Sequence, residues 1–92
     1  MAVHLESYIQ SQIVSWLKKE GYMVIRNLDV SPIGFPDLTC ISKEGVYTHI
    51  EVKQVSGRLS PGQQMTISKL NDYNCNVIVA RSLQEVKDYY EL

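Results

Sequence analysis

The sequence predicts an α/β protein, a mixed sheet with helices against it in the order α-β-β-β-α-β-α. Three observations carry this. An apolar stripe at helical spacing runs from Leu5 to Leu17. From Gly34 to Gln54, two β-rich runs flank a glycine turn. After Leu59 come a helix start, an unbroken apolar run and a second helix start.

The chain has 92 residues, which suits a single domain over positions 1–92 with a modest core. Its 45% hydrophobic and 21% charged content is that of an ordinary soluble globular protein. No apolar run approaches the roughly 20 residues that cross a bilayer. The first residues, with His4 and Glu6 among polar neighbours, do not read as a signal peptide. Cys40 and Cys75 lie in or beside apolar β-like runs without metal-ligand spacing, so two free thiols of an intracellular, cytoplasmic protein are expected. A net charge of -1 gives no basic footprint of the kind nucleic-acid binders usually show.

Taken in order, Leu5, Ile9, Ile13, Trp16 and Leu17 mark one face of a first helix. Lys18 and Lys19 suit the negative end of its dipole, and Gly21 is the expected stop. Glu6 and Gln10 lie one turn apart beside the stripe. Glu6 compensates the dipole in the first turn, or looks along the edge of whatever the helix packs on. Tyr22 to Arg26 is a short strand. Asn27 to Phe35, with Asp29, Pro32 and Gly34, is an irregular loop.

The hairpin follows. Lys43, Glu44 and Gly45 make a three-residue turn with Gly45 in the left-handed position. Ser42 then faces Val46, Thr39 faces His49, and Asp37 faces Glu51. Leu38, Cys40, Val46, Ile50 and Val52 share one face; Asp37, Thr39, His49, Glu51 and Lys53 share the other. Directly opposed residues have β-carbons about 5 Å apart, and like charges there are destabilising. The Asp37–Glu51 pair therefore needs a cation, or one carboxylate must take up a proton.

Beyond a loop with Gly57 and Arg58, Ser60, Pro61 and Gln63 form a capping box with proline at the first helical position. Ile67 and Leu70 continue that helix's buried face to about Tyr73. Asn76 to Ala80, with Val77, Ile78 and Val79 consecutive, reads as a strand buried on both sides. Ser82 and Glu85 start a last amphipathic helix with a second capping box, carrying Leu83, Val86 and Tyr90. Trp16 and the tyrosines of that helix read as core or dimer surface.

Two carboxylates converging from adjacent strands, with a third available from a helix, suit a hard cation such as Mg²⁺. Lys53, two residues beyond Glu51 on the same face, is placed to reach an attacking water or a phosphate oxygen. Metal-assisted phosphodiester hydrolysis requires these parts. With Glu6, Asp37 and Glu51 neutralised by a metal, the rest of the chain is mildly basic.

Pro36-Asp37 followed by Glu51-Val52-Lys53 resembles the PD-(D/E)XK nuclease pattern. More closely, the chain resembles the VRR-NUC family within that superfamily. The likeness rests on Glu6 with Gln10, Gly34 to Leu38, Ile50 to Lys53, and Gly57 to Pro61 leading to Gln63. It covers nearly the whole chain, as a minimal, stand-alone version would. The resemblance implies a restriction-endonuclease-like fold and a catalytic set of Asp37, Glu51, Lys53 and Gln63. It further implies Mg²⁺ or Mn²⁺ held by Asp37, Glu51 and the Val52 backbone carbonyl, with Glu6 completing the site directly or through water. Lys53 would orient or activate the water, and Gln63 would support the site. The implied substrate is DNA, often branched, cut by a homodimer, with a replication or recombination helicase as the expected protein partner. Asn74 stands where the family usually has glycine, and asparagine also tolerates the left-handed conformation.

Each residue also has a plainer reading. A capping box alone explains Gln63, and a neutral strand histidine beside Thr39 explains His49. Arg58, Lys18, Lys19 and Lys69 are phosphate contacts or simply solvated. A salt-bridge ladder accounts for Glu51 and Lys53 but gives Asp37 and Glu6 no purpose. At the level of function, the alternatives to a DNA nuclease are an idle nucleic-acid-binding or dimerisation module and an RNA-directed version of the same chemistry.

Overall fold

A computed structural model describes residues 5–28 and 33–91. His4, Asp29 and Pro32 lie outside the described residues. The elements are α1 (Glu6–Lys19), β1 (Met23–Arg26), β2 (Leu38–Ile41), β3 (Tyr47–Val52), α2 (Pro61–Asp72), β4 (Asn76–Ala80) and α3 (Leu83–Tyr90). This is the expected α-β-β-β-α-β-α order. The strands form one sheet in the order β1-β2-β3-β4. β1 and β2 pair antiparallel, as do β2 and β3, while β4 runs parallel to β3 after the α2 crossover.

The hairpin register is the one that turn chemistry and alternation dictate. Thr39 faces His49 and Leu38 faces Ile50. The Ser42 amide donates to the Val46 carbonyl over 2.9 Å. Gly45 has φ +83°, a left-handed conformation that glycine adopts without steric cost. Leu38, Cys40, Ile50 and Val52 point to one side of the sheet. There they meet Ile9, Ile13, Val14 and Leu17 of α1 and Val86 of α3. Ile13 and Leu17 are fully buried, each worth about 1.5–3 kcal/mol of hydrophobic stabilisation. Tyr22 and Tyr90 meet as tilted rings with centroids 4.9 Å apart beside Trp16, and these rings pack against the core. Burial drives the Tyr90 phenol well above its ordinary range.

Several expectations about burial need correction. Leu5 precedes α1 and is half exposed, and Val46 sits in the turn region and is exposed as well. β4 is an edge strand, so Val77, Ile78 and Val79 are partly rather than fully buried. On α2, Ile67 and Leu70 are partly buried, and the buried residue is Thr66, whose hydroxyl donates to the Ile33 carbonyl over 2.7 Å. Ser82 caps α3 by accepting from the Glu85 amide, but Glu85 Oε1 accepts from the Arg81 amide, one residue before the cap. Cys40 and Cys75 are free thiols, and Asn74 has φ 63°. Among the described residues no helix is long and apolar enough to cross a membrane.

Candidate functional site

One step beyond the Leu38–Ile50 pair, the hairpin ends at Asp37 and Glu51. Asp37 is fixed twice. Its carbonyl accepts from the Asn27 amide over 2.8 Å, and its Oδ2 accepts from the Val52 amide over 2.8 Å. The Asn27 side chain donates to the Pro36 carbonyl and to Thr39 Oγ1, pinning the turn into β2. Asn27 is a positioning residue that no local sequence signal marks.

Glu51 is 1% exposed. Its Oε2 accepts from Gln63 Nε2 over 3.0 Å, and its buried Oε1 has no hydrogen-bond partner among the described residues. Burial, and then the Asp37 charge, push its pKa up to about 8; Lys53 pulls it back and Glu6 adds a smaller upward push. The two carboxylates can share a hydrogen bond only if one of them carries a proton. A buried oxygen without a donor, beside a second carboxylate, fits a hard divalent cation, which takes one or two protein carboxylates and fills its shell with water.

Gln63 reaches this place because α2 begins where it does. Ser60 Oγ accepts from the Gln63 amide and Gln63 Oε1 accepts from the Ser60 amide, completing the capping box. The amide nitrogen of the side chain is then left for Glu51, so cap and site contact coexist in one residue. Gly34 makes the approach possible. It has φ +85°, and a β-carbon there would stand 2.5 Å from the Gly62 carbonyl group and 2.6 Å from the Gln63 nitrogen.

Lys53 lies beside Glu51, its side chain 12% exposed, with Nζ 3.8 Å from Glu6 Oε2. Glu6 is far more open at 42%, so this is a loose rim pair of the kind worth at most about 1 kcal/mol. Among the described residues no three His, Cys, Asp or Glu side chains gather as a metal-holding cluster. The structure therefore brings together Asp37, Glu51, Lys53 and Gln63, with Val52 between the carboxylate and the lysine, and keeps Glu6 at the rim on Lys53. Arg58 and Lys69 are exposed and have no hydrogen bond or ion pair with these groups. His49 Nδ1 lies 2.9 Å from Thr39 Oγ1, its ring edge-on to Phe35, and burial lowers its pKa, as befits a neutral strand histidine.

A family model described as the VRR-NUC domain matches residues 3–84. A solved structure described as a VRR_NUC domain superposes with a TM-score of 0.84 at 25% sequence identity, covering 94% of this chain and 94% of that one. No curated protein matches. The match takes in Glu6, Asp37, Glu51, Lys53 and Gln63, and the superposition extends over nearly the whole fold. This chain belongs to the VRR-NUC domain family, a nuclease-type domain.

Proposed function

We propose that the chain is a Mg²⁺- or Mn²⁺-dependent, structure-selective DNA endonuclease that hydrolyses phosphodiester bonds in branched DNA such as four-way junctions or flaps. The observation that carries this reading is the buried Glu51 carboxylate. One of its oxygens has no donor, Asp37 and Lys53 stand beside it, and Gln63 grips its other oxygen.

Asp37, Glu51 and the Val52 carbonyl would hold the cation. When bound, such a cation polarises a phosphoryl oxygen and makes water more acidic. The protein's own part follows from the geometry. Gln63 Nε2 fixes Glu51 Oε2, which leaves Oε1 as the presenting atom. The Val52 amide fixes Asp37 Oδ2 in the same way. Glu51 must lose its proton for the site to load, so loading releases a proton. Lys53 Nζ, turned toward the rim at Glu6, orients the attacking water and contacts the phosphate. Arg58 and Lys69 contact the DNA backbone farther out. A two-fold homodimer would give two such sites for symmetrical cutting of a junction, and a replication or recombination helicase is the proposed partner.

The test uses labelled four-way, flap, single-stranded and RNA substrates with Mg²⁺ or Mn²⁺. Wild-type protein should cut branched DNA, while Asp37→Asn and Lys53→Ala should not, with folding unchanged by circular dichroism. Undiminished cutting by both variants would sink the site. Binding without metal-dependent cutting would favour an idle binding module, and preferential cutting of RNA would redirect the substrate.

A further inference from the structure

Arg81 follows β4 and turns its guanidinium onto the loop that leaves β3. Its Nη1 donates to the Gly57 carbonyl over 2.6 Å and the Gln54 carbonyl over 2.8 Å, with a longer contact of 3.4 Å to Val55. No carboxylate pairs with it among the described residues. The three carbonyls belong to one turn, closed by the Gly57 amide donating to the Gln54 carbonyl over 2.9 Å. That turn lies against Lys53. A β-carbon added to Gly57 would stand 3.5 Å from Lys53 Cδ. The Lys53 backbone is held from the same segment, since its amide donates to the carbonyl of Ala80 over 3.0 Å.

We propose that Arg81 is a positioning residue: by closing the Gln54–Gly57 turn over the aliphatic stem of Lys53, it fixes where the Lys53 ammonium points. Lysine is among the side chains with most rotamer freedom, and a loosely held one spends little time in a productive direction. The guanidinium suits the task because its rigid planar head holds Nη1 where it meets several carbonyls at once, which an ammonium on a flexible stem does less well. The effect on Lys53 rests on geometry alone; the consequence for catalysis rests on the nuclease reading above.

The experiment has two arms. In the first, NMR relaxation of the Lys53 Cε–H groups is compared between the wild-type chain, Arg81→Gln and Arg81→Lys, without metal or DNA. In the second, kcat and KM are measured on branched DNA. Greater Lys53 motion in Arg81→Gln is expected, with kcat lower by about ten- to a hundred-fold, as small misplacements cost, and KM unchanged. Arg81→Lys keeps the charge and much of the stem, so the comparison survives if Arg81→Gln fails to fold. It is expected to leave Lys53 loosened and kcat depressed. Unaltered Lys53 motion in the variants, full recovery by lysine, or a raised KM with normal kcat would each overturn the proposal. If the wild-type chain cuts nothing, the nuclease reading fails while the relaxation arm still decides what Arg81 does to Lys53.

Discussion

Gln63 Nε2 donates to Glu51 Oε2 across 3.0 Å, joining the first turn of α2 to the buried carboxylate of β3. The same side chain caps its own helix through Oε1. Gln63→Glu separates the two duties, because a carboxylate still accepts from the Ser60 amide but cannot donate to Glu51. We expect the variant to keep its helix cap and its fold, to melt lower than the wild type because a second carboxylate faces buried Glu51, and to lose at least about tenfold in cleavage, the equivalent of roughly one hydrogen bond to a charged group. Gln63→Ala should lose the cleavage and, with the hydrogen bond from the Ser60 amide, about 1 kcal/mol of stability besides. Wild-type cleavage by Gln63→Glu would make the residue a cap and nothing more.

Glu51 makes the metal-free protein sensitive to pH. Its folded pKa is raised from an ordinary 4.5 to about 8, mainly by burial. The fold thus favours the protonated form. That contribution is complete below about pH 4.5, declines as pH rises and is gone above about pH 8. With chelator present, stability should fall across this window by on the order of a few kcal/mol. Glu51→Gln should remove this slope and exceed the wild type in stability at pH 9, while abolishing cleavage. Denaturant titrations at a series of pH values decide it; a slope that persists in Glu51→Gln assigns the effect elsewhere.

The hairpin was legible in the sequence because both of its determinants are local: a period of two, and a glycine at the left-handed turn position. That fixed the opposition of Thr39 with His49, and with it the neighbourhood of Asp37 and Glu51. The Ser60 cap was legible for the same reason. The edge position of β4 was not, since Val77, Ile78 and Val79 look alike in a central strand and an edge strand, and strand order is a property of the whole sheet. The contact between Gln63 and Glu51 was half legible. Its cap is written in four consecutive residues, but its reach to Glu51 depends on Gly34 meeting Gly62, 28 positions later in the numbering. Asn27 and Arg81 bond to carbonyls, and no side-chain pattern announces such partners.

Gly34 should therefore tolerate no side chain. Its positive φ alone costs another residue about 1–3 kcal/mol, and the β-carbon would collide with the backbone at Gly62 and Gln63. Gly34→Ala is expected to lower the melting temperature and to break the Gln63–Glu51 hydrogen bond, visible as a shift of the Gln63 side-chain amide resonances. An unshifted amide in a folded variant would show that α2 is positioned by other contacts.

Metal binding should distinguish Asp37 from Glu6. Asp37 adjoins the buried Glu51 carboxyl group, whereas Glu6 stands at the rim on Lys53. Saturating Mn²⁺ at a hundred times its dissociation constant stabilises a binding-competent fold by about 2.7 kcal/mol. Asp37→Asn should lose this gain in melting temperature, and Glu6→Gln should retain most of it. Equal loss in both variants would place Glu6 among the direct ligands and require it to leave Lys53 when the site loads.

The proposed homodimer has a face that suits it. Met23, Ile41 and Tyr47 align across β1, β2 and β3 on the side of the sheet away from α1 and α3, with Ile25 one pair along. Met23 is 63% exposed, Tyr47 56% and Ile25 42%, and β1 is an edge strand of the sheet among the described residues. Grouped apolar side chains beside an open edge favour association. Met23→Glu with Tyr47→Lys should convert a dimer to a monomer by light scattering. Exposed positions tolerate such changes within about 0.5 kcal/mol, so the fold should persist. Nicking would then continue while paired cutting of a four-way junction is lost. A wild-type protein that is already monomeric would remove the two-fold account of junction cutting and leave a single-strand nickase.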